Sequence, residues 1–177
     1  RHLEDLRREF NDHIADRDVE SISVEEATSL LESIGYLMLP GIVRQLLTET
    51  EPANTVVEGV DLADYVYLRQ VIQYRGGFTQ AEADSLRETF NRWDDDGSET
   101  LSFLELQAAL KWQGFVLSSE RKETADINKM MEIVTAGLVW SSPDGINFED
   151  YLQVMRKYRE LEIGRARLMF REHSTDG

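Results

Sequence analysis

Phe90-Asn91-Arg92-Trp93-Asp94-Asp95-Asp96-Gly97-Ser98-Glu99-Thr100-Leu101-Ser102-Phe103-Leu104-Glu105-Leu106 is the stretch on which the reading of this chain turns. A segment with apolar residues at helical spacing runs into a short acidic tract, and a second apolar-periodic segment begins after one buried-type residue, Leu101. The same grammar recurs along the chain. Leu6-Arg7-Arg8-Glu9-Phe10-Asn11 returns as Leu86-Arg87-Glu88-Thr89-Phe90-Asn91, and Arg167-Leu168-Met169-Phe170-Arg171-Glu172 resembles both, so that Phe10, Phe90 and Phe170 stand at intervals of 80 residues. Gly35-Tyr36 and Gly114-Phe115 close the first two copies. A weaker echo links Gly59-Val60-Asp61-Leu62-Ala63-Asp64-Tyr65 to Gly145-Ile146-Asn147-Phe148-Glu149-Asp150-Tyr151. A repeat of this kind fixes architecture more firmly than local propensity does. The unit is helix, polar loop, helix; four units fit the chain, and a fifth begins near Arg165.

Apolar spacing predicts helices over 2–14, 24–34, 40–50, 62–75, 80–93, 103–113, 120–138 and 148–173. Local signals agree: Thr79-Gln80-Ala81-Glu82 has the form of a capping box, Pro40 suits a first helical position, and Gly76-Gly77 supplies a helix stop. Strand signals are confined to short runs around Ile22, Val60, Leu101 and Ile146, too small for a sheet. The expected fold class is all-α.

In the stretch Asp94–Glu105 the chain resembles the EF-hand family, whose twelve-residue loop takes calcium ligands from its first, third, fifth, seventh, ninth and twelfth positions. Carried over, the resemblance implies side-chain oxygens from Asp94, Asp96 and Ser98, the backbone carbonyl of Thr100, Ser102 acting through water, and two oxygens from Glu105. Calcium takes six to eight oxygens at about 2.3–2.6 Å, which explains donors two residues apart on a chain wrapped around the ion and a long bidentate acid reaching in from the next helix. One position departs from the pattern: Glu99 stands where glycine normally makes the left-handed turn, which weakens binding without forbidding it.

Aligned the same way, the other loops lack their acids. The first has Ala15, Arg17 and Val19 with only Glu26 in place; the second has Ala53, Thr55 and Val57 with Asp64; the fourth has Val139, Ser141 and Pro143 with Asp150. None is expected to hold calcium tightly. Because EF-hands work as pairs joined through their loops, the resemblance implies two lobes of paired helix-loop-helix units with small β bridges, Ile22 to Val60 and Leu101 to Ile146. The expected domains are an N-terminal lobe over 1–77, a C-terminal lobe over 78–160 carrying the intact loop, and a linker helix with the start of a further unit over 161–177.

Composition narrows function. Asp and Glu number 34 against 19 Lys and Arg, for a formal charge of -15, which argues against a nucleic-acid partner. No Cys is present, so disulfides and thiolate metal sites are excluded. No apolar run approaches the ~20 residues of a membrane span. His2, His13 and His173 are scattered and suit neither zinc nor catalysis, and no phosphate loop, nucleophile elbow or kinase signature is found, so an enzyme is not expected. Trp93, Trp112 and Trp140 with Met130, Met131 and Met155 form either a groove for a partner helix or ordinary core. The basic run from Met155 to His173 suits a linker helix or contact with an acidic surface. The expectation is a calcium-binding regulatory or sensor module with a protein partner, in a cytoplasmic setting that includes the cytoskeletal or ciliary, within a longer polypeptide. The alternatives are a structural connector in a larger assembly and the regulatory end of a calcium-controlled enzyme.

Overall fold

The computed structural model describes residues 2–15, 19–50, 57–113, 132–133, 135–138 and 145–174. Its helices are α1 (His2–Ile14), α2 (Val24–Ser33), α3 (Pro40–Thr48), α4 (Leu62–Arg75), α5 (Gln80–Trp93), α6 (Phe103–Trp112) and α7 (Phe148–Ser174). Among the described residues there is no sheet, only two isolated antiparallel bridges, so the all-α class stands. The helix expected over 120–138 lies mostly outside the described residues. The ends of α2, α3 and α6 fall one or two residues short of the expected 34, 50 and 113.

The chain divides into two compact units, Arg1–Thr79 with Glu162–Gly177, and Gln80–Leu161. In the first, α2 presents Val24, Ala27, Thr28 and Leu31, a spacing of three and four residues, to a core shared with Phe10, Val43, Leu46, Leu47, Tyr65, Leu68 and Ile72. Thr28 enters this face because its hydroxyl donates to the Val24 carbonyl at 2.7 Å and leaves nothing unpaired. Pro40 opens α3 next to the N-cap Leu39, and Gly76, in a left-handed conformation at φ 63°, ends α4. Tyr65 is fully buried against the Phe10 ring, its hydroxyl donating to Glu9, which also accepts from Arg69 at 2.7 and 2.9 Å.

In the second unit, α5 and α6 pack together, and Phe90 of α5 meets the Phe148 ring edge-on at 5.5 Å and Tyr151 at 5.6 Å. Leu86, Leu106, Ala109, Leu110, Val154 and Met155 complete this core. The Arg87 guanidinium lies 3.3 Å over the centre of the Phe148 ring, a cation–π contact.

Each unit holds one of the expected bridges. Ile22 and Val60 exchange backbone hydrogen bonds at 3.0 and 2.8 Å, and Leu101 and Ile146 do so at 2.8 and 2.9 Å. The residue after each bridge position starts a helix. Ser23, Asp61 and Ser102 are N-caps that accept from the backbone N–H of Glu26, Asp64 and Glu105, whose carboxylates return to the N-cap amides. At the fourth position the Asn147 side-chain oxygen accepts from the Asp150 amide at 2.9 Å. Bridge, cap and acid thus form one cassette, with both cap bonds at Ser23, Asp61 and Ser102 and the Asn147–Asp150 bond at the fourth position. Its physical work is to pair the amide groups that a first helical turn leaves free.

Candidate metal centre

Helix α5 ends where the Asp94 amide donates its last bond to the Phe90 carbonyl at 3.0 Å, and the chain then turns through exposed Asp95, Asp96 and Gly97, the last at φ 65°. Ser98 gathers the loop. Its amide donates to Asp94 Oδ1 at 2.9 Å and to Asp96 Oδ1 at 3.0 Å, and its hydroxyl donates to the Thr100 carbonyl at 2.9 Å. Oxygens from four of the expected donors, Asp94, Asp96, Ser98 and Thr100, are therefore held close together. The hydrogen bonds from Ser98, hydroxyl first and amide second, keep the Asp96 carboxyl below the usual carboxylate range, which keeps it charged.

Glu99 takes the left-handed turn, with φ 59°, and is the only non-glycine residue with positive φ among those described. Its amide is fixed by Asp94 Oδ2 at 3.0 Å. A side chain in this region of backbone space costs on the order of 1 kcal/mol and persists only where its surroundings impose it. Here the imposing group is an expected ligand.

The structure does not bring Ser102 and Glu105 into that cluster. Glu105 Oε2 accepts from the Ser102 amide at 2.7 Å, and Ser102 Oγ accepts from the Glu105 amide at 3.3 Å, so both serve the start of α6. Among the described residues no three or more carboxylate or imidazole side chains converge as a metal-binding group. In kind, the donors fit a hard cation: all are oxygens, two are carboxylates on one small loop, and no soft ligand is near. Completion by Glu105 requires its carboxylate to leave the cap. The sequence did carry this second role of Glu105, since Ser102-Phe103-Leu104-Glu105 and Ser23-Val24-Glu25-Glu26 both have the capping-box form. The hub role of Ser98 had no such signal.

Of the other loops, Ala15, Val19 and Val57 are described and offer no side-chain oxygen; Arg17, Ala53, Thr55, Val139, Ser141 and Pro143 lie outside the described residues. Glu26 and Asp64 are occupied as caps. Met155 is buried in the core of its unit, Trp112 is exposed beneath Arg92 at 4.4 Å, and Trp140, Met130 and Met131 lie outside the described residues. In the basic run, Arg165 pairs with Glu162 at 3.0 Å and Arg167 with Glu32 at 2.6 Å. None of the helices among the described residues is long and apolar enough to cross a membrane. No protein-family model matches the chain, and no curated protein matches it in sequence.

Proposed function

We propose that the chain binds one calcium ion in the EF-hand-like loop Asp94–Glu105 and acts as a regulatory or sensor module for a protein partner, in a cytoplasmic setting. The observation that carries this reading is the convergence of Asp94 and Asp96 on the Ser98 amide, with Ser98 in turn bonded to the Thr100 carbonyl and Glu99 held left-handed by Asp94. A bound calcium ion would supply the positive charge that offsets Asp94, Asp96 and Glu105. Asp94, Asp96, Ser98 and the Thr100 carbonyl would hold it, Ser102 would act through water, and Glu105 would give up its bond to the Ser102 amide. Phe103 and Leu104, 53% and 76% exposed, sit between the two capping residues, so a change at Glu105 alters how that apolar pair is presented to a partner.

Glu105→Gln tests this directly, because glutamine still satisfies a capping box but removes the charge and one hard oxygen. Calorimetry should record calcium binding to the wild type and little or none to the variant; equal heats, or none with the wild type, refute the site. A second reading is favoured by one observation: Glu105 makes the same cap as Glu26, whose loop has no acids at Ala15 or Val19. On that reading the cassettes are structural and the chain is a connector in a larger assembly. Tryptophan emission and hydrophobic-dye binding separate the two, since a sensor changes both on adding calcium and a connector changes neither.

A further inference from the structure

We propose that Gly145, which belongs to the fourth, acid-poor loop, is a positioning residue for the calcium loop and sets the place of the Thr100 carbonyl. The inference rests on the calcium reading above. A Cβ added at Gly145 would fall 2.8 Å from Thr100 Oγ1, 2.9 Å from Thr100 Cβ and 3.2 Å from the Leu101 carbonyl oxygen. A hydroxyl can rotate away, but Cβ and a carbonyl oxygen are fixed to the main chain. That main chain is pinned on both sides by the Leu101–Ile146 hydrogen bonds of 2.8 and 2.9 Å. Gly145 also has a φ of 159°, which a side chain rarely adopts and which Gly59 of the first unit does not share, so a methyl group there strains its own backbone as well as pressing on the Thr100 peptide and shifting it.

The shift would not stay local. The Thr100 carbonyl accepts from the Ser98 hydroxyl at 2.9 Å, and the Ser98 amide holds Asp94 and Asp96 at 2.9 and 3.0 Å. Four of the six expected donors are linked to the contact by that short chain of bonds. The first unit supplies an internal control. Gly59 precedes its bridge residue as Gly145 does, and a Cβ there would meet Ser21 Oγ at 3.0 Å, Ser21 Cβ at 3.3 Å and the Ile22 carbonyl at 3.4 Å. That contact is looser, and the acids that would make a ligand loop are missing at Ala15 and Val19.

The experiment compares the full chain as wild type, Gly145→Ala, Gly59→Ala, and Gly145→Ala combined with Thr100→Gly, which removes the opposing Cβ and hydroxyl while keeping the carbonyl. Calcium titrations by calorimetry should show an affinity loss of about tenfold or more for Gly145→Ala, the size expected when a group supporting metal ligands is disturbed. Gly59→Ala should stay within about twofold, as distant sites act independently, and the paired variant should recover the part of the loss that comes from the Thr100 contact, leaving the part due to the φ of 159° at Gly145. Amide exchange at Ser98 and Glu99, followed in chelator, should speed up in Gly145→Ala and slow again in the pair. Equal affinity in Gly145→Ala and wild type overturns the inference while leaving the calcium site intact. A wild type that binds no calcium overturns the site reading, and the exchange rates then decide the Gly145 contact alone: unchanged rates refute it. If Gly145→Ala does not fold, the paired variant decides, because a folded pair supports the steric account and an unfolded pair refutes it.

Discussion

The loop before α2 and the loop before α6 finish alike and begin differently. Both end in a bridge residue, a serine N-cap and a glutamate that closes a capping box, Ile22-Ser23-Glu26 in one and Leu101-Ser102-Glu105 in the other. Ahead of that shared ending, one has Ala15 and Val19 where the other has Asp94 and Ser98. The helix start is built equally well in both, so the cassette does not need a cation to be worth keeping. The glutamate at its end is therefore weak evidence for metal binding, and the acids at the front of the Asp94 loop are the strong evidence.

The comparison is tested most severely at the bridges. Leu101→Ala and Ile22→Ala each remove a buried aliphatic side chain and should cost about 2–5 kcal/mol in denaturant unfolding. Only Leu101→Ala should also lower calcium affinity, and an equal loss in Ile22→Ala would break the distinction drawn between the loops. Next in size come the caps: Ser23→Ala and Ser102→Ala should each cost about 1 kcal/mol of stability, again by denaturation, with calcium affinity reduced in the second alone. Glu99→Gly should gain about 0.5–1 kcal/mol in chelator by relieving the left-handed strain, offset in part by the extra freedom glycine has when unfolded. The smallest effect is one of pH. Asp96 has its carboxyl lowered by Ser98, so its contribution is present above the ordinary aspartate value of about 3.9 and is lost as pH falls through the lowered value. Calcium affinity in Ser98→Ala should accordingly begin to fall at a higher pH than in the wild type, as read by titration in a pH series.

Much of this was legible because it was local. The three-and-four spacing of Val24, Ala27 and Leu31 gave α2, and both bridges were implied by the EF-hand resemblance, in which loops pair. The same resemblance singled out Asp94, Asp96, Ser98 and Thr100, which hydrogen bonds link to one another in the structure. What was not legible depended on a choice between partners. A glutamate three residues into a helix suits a cap and a cation equally, and spacing cannot say which it serves. Nor can periodicity find Glu9, Tyr65 and Arg69, whose hydrogen bonds join residues 56 and 60 positions apart. Ser98 was expected only as a ligand, and its amide and hydroxyl add a second part that spacing does not show, as the link between Asp94, Asp96 and the Thr100 carbonyl.

The Ser23–Glu26 cassette beneath the Ile22–Val60 bridge amounts to a ready-made socket for protein engineering. In the sequence aligned on Ile22 and Leu101, Ala15, Arg17 and Val19 correspond to Asp94, Asp96 and Ser98 of the other loop, and Glu20 to Glu99. Three exchanges, Ala15→Asp, Arg17→Asp and Val19→Ser, would transplant the acidic front onto a helix start that already exists, turning one candidate receptor into a matched pair without redesigning the scaffold.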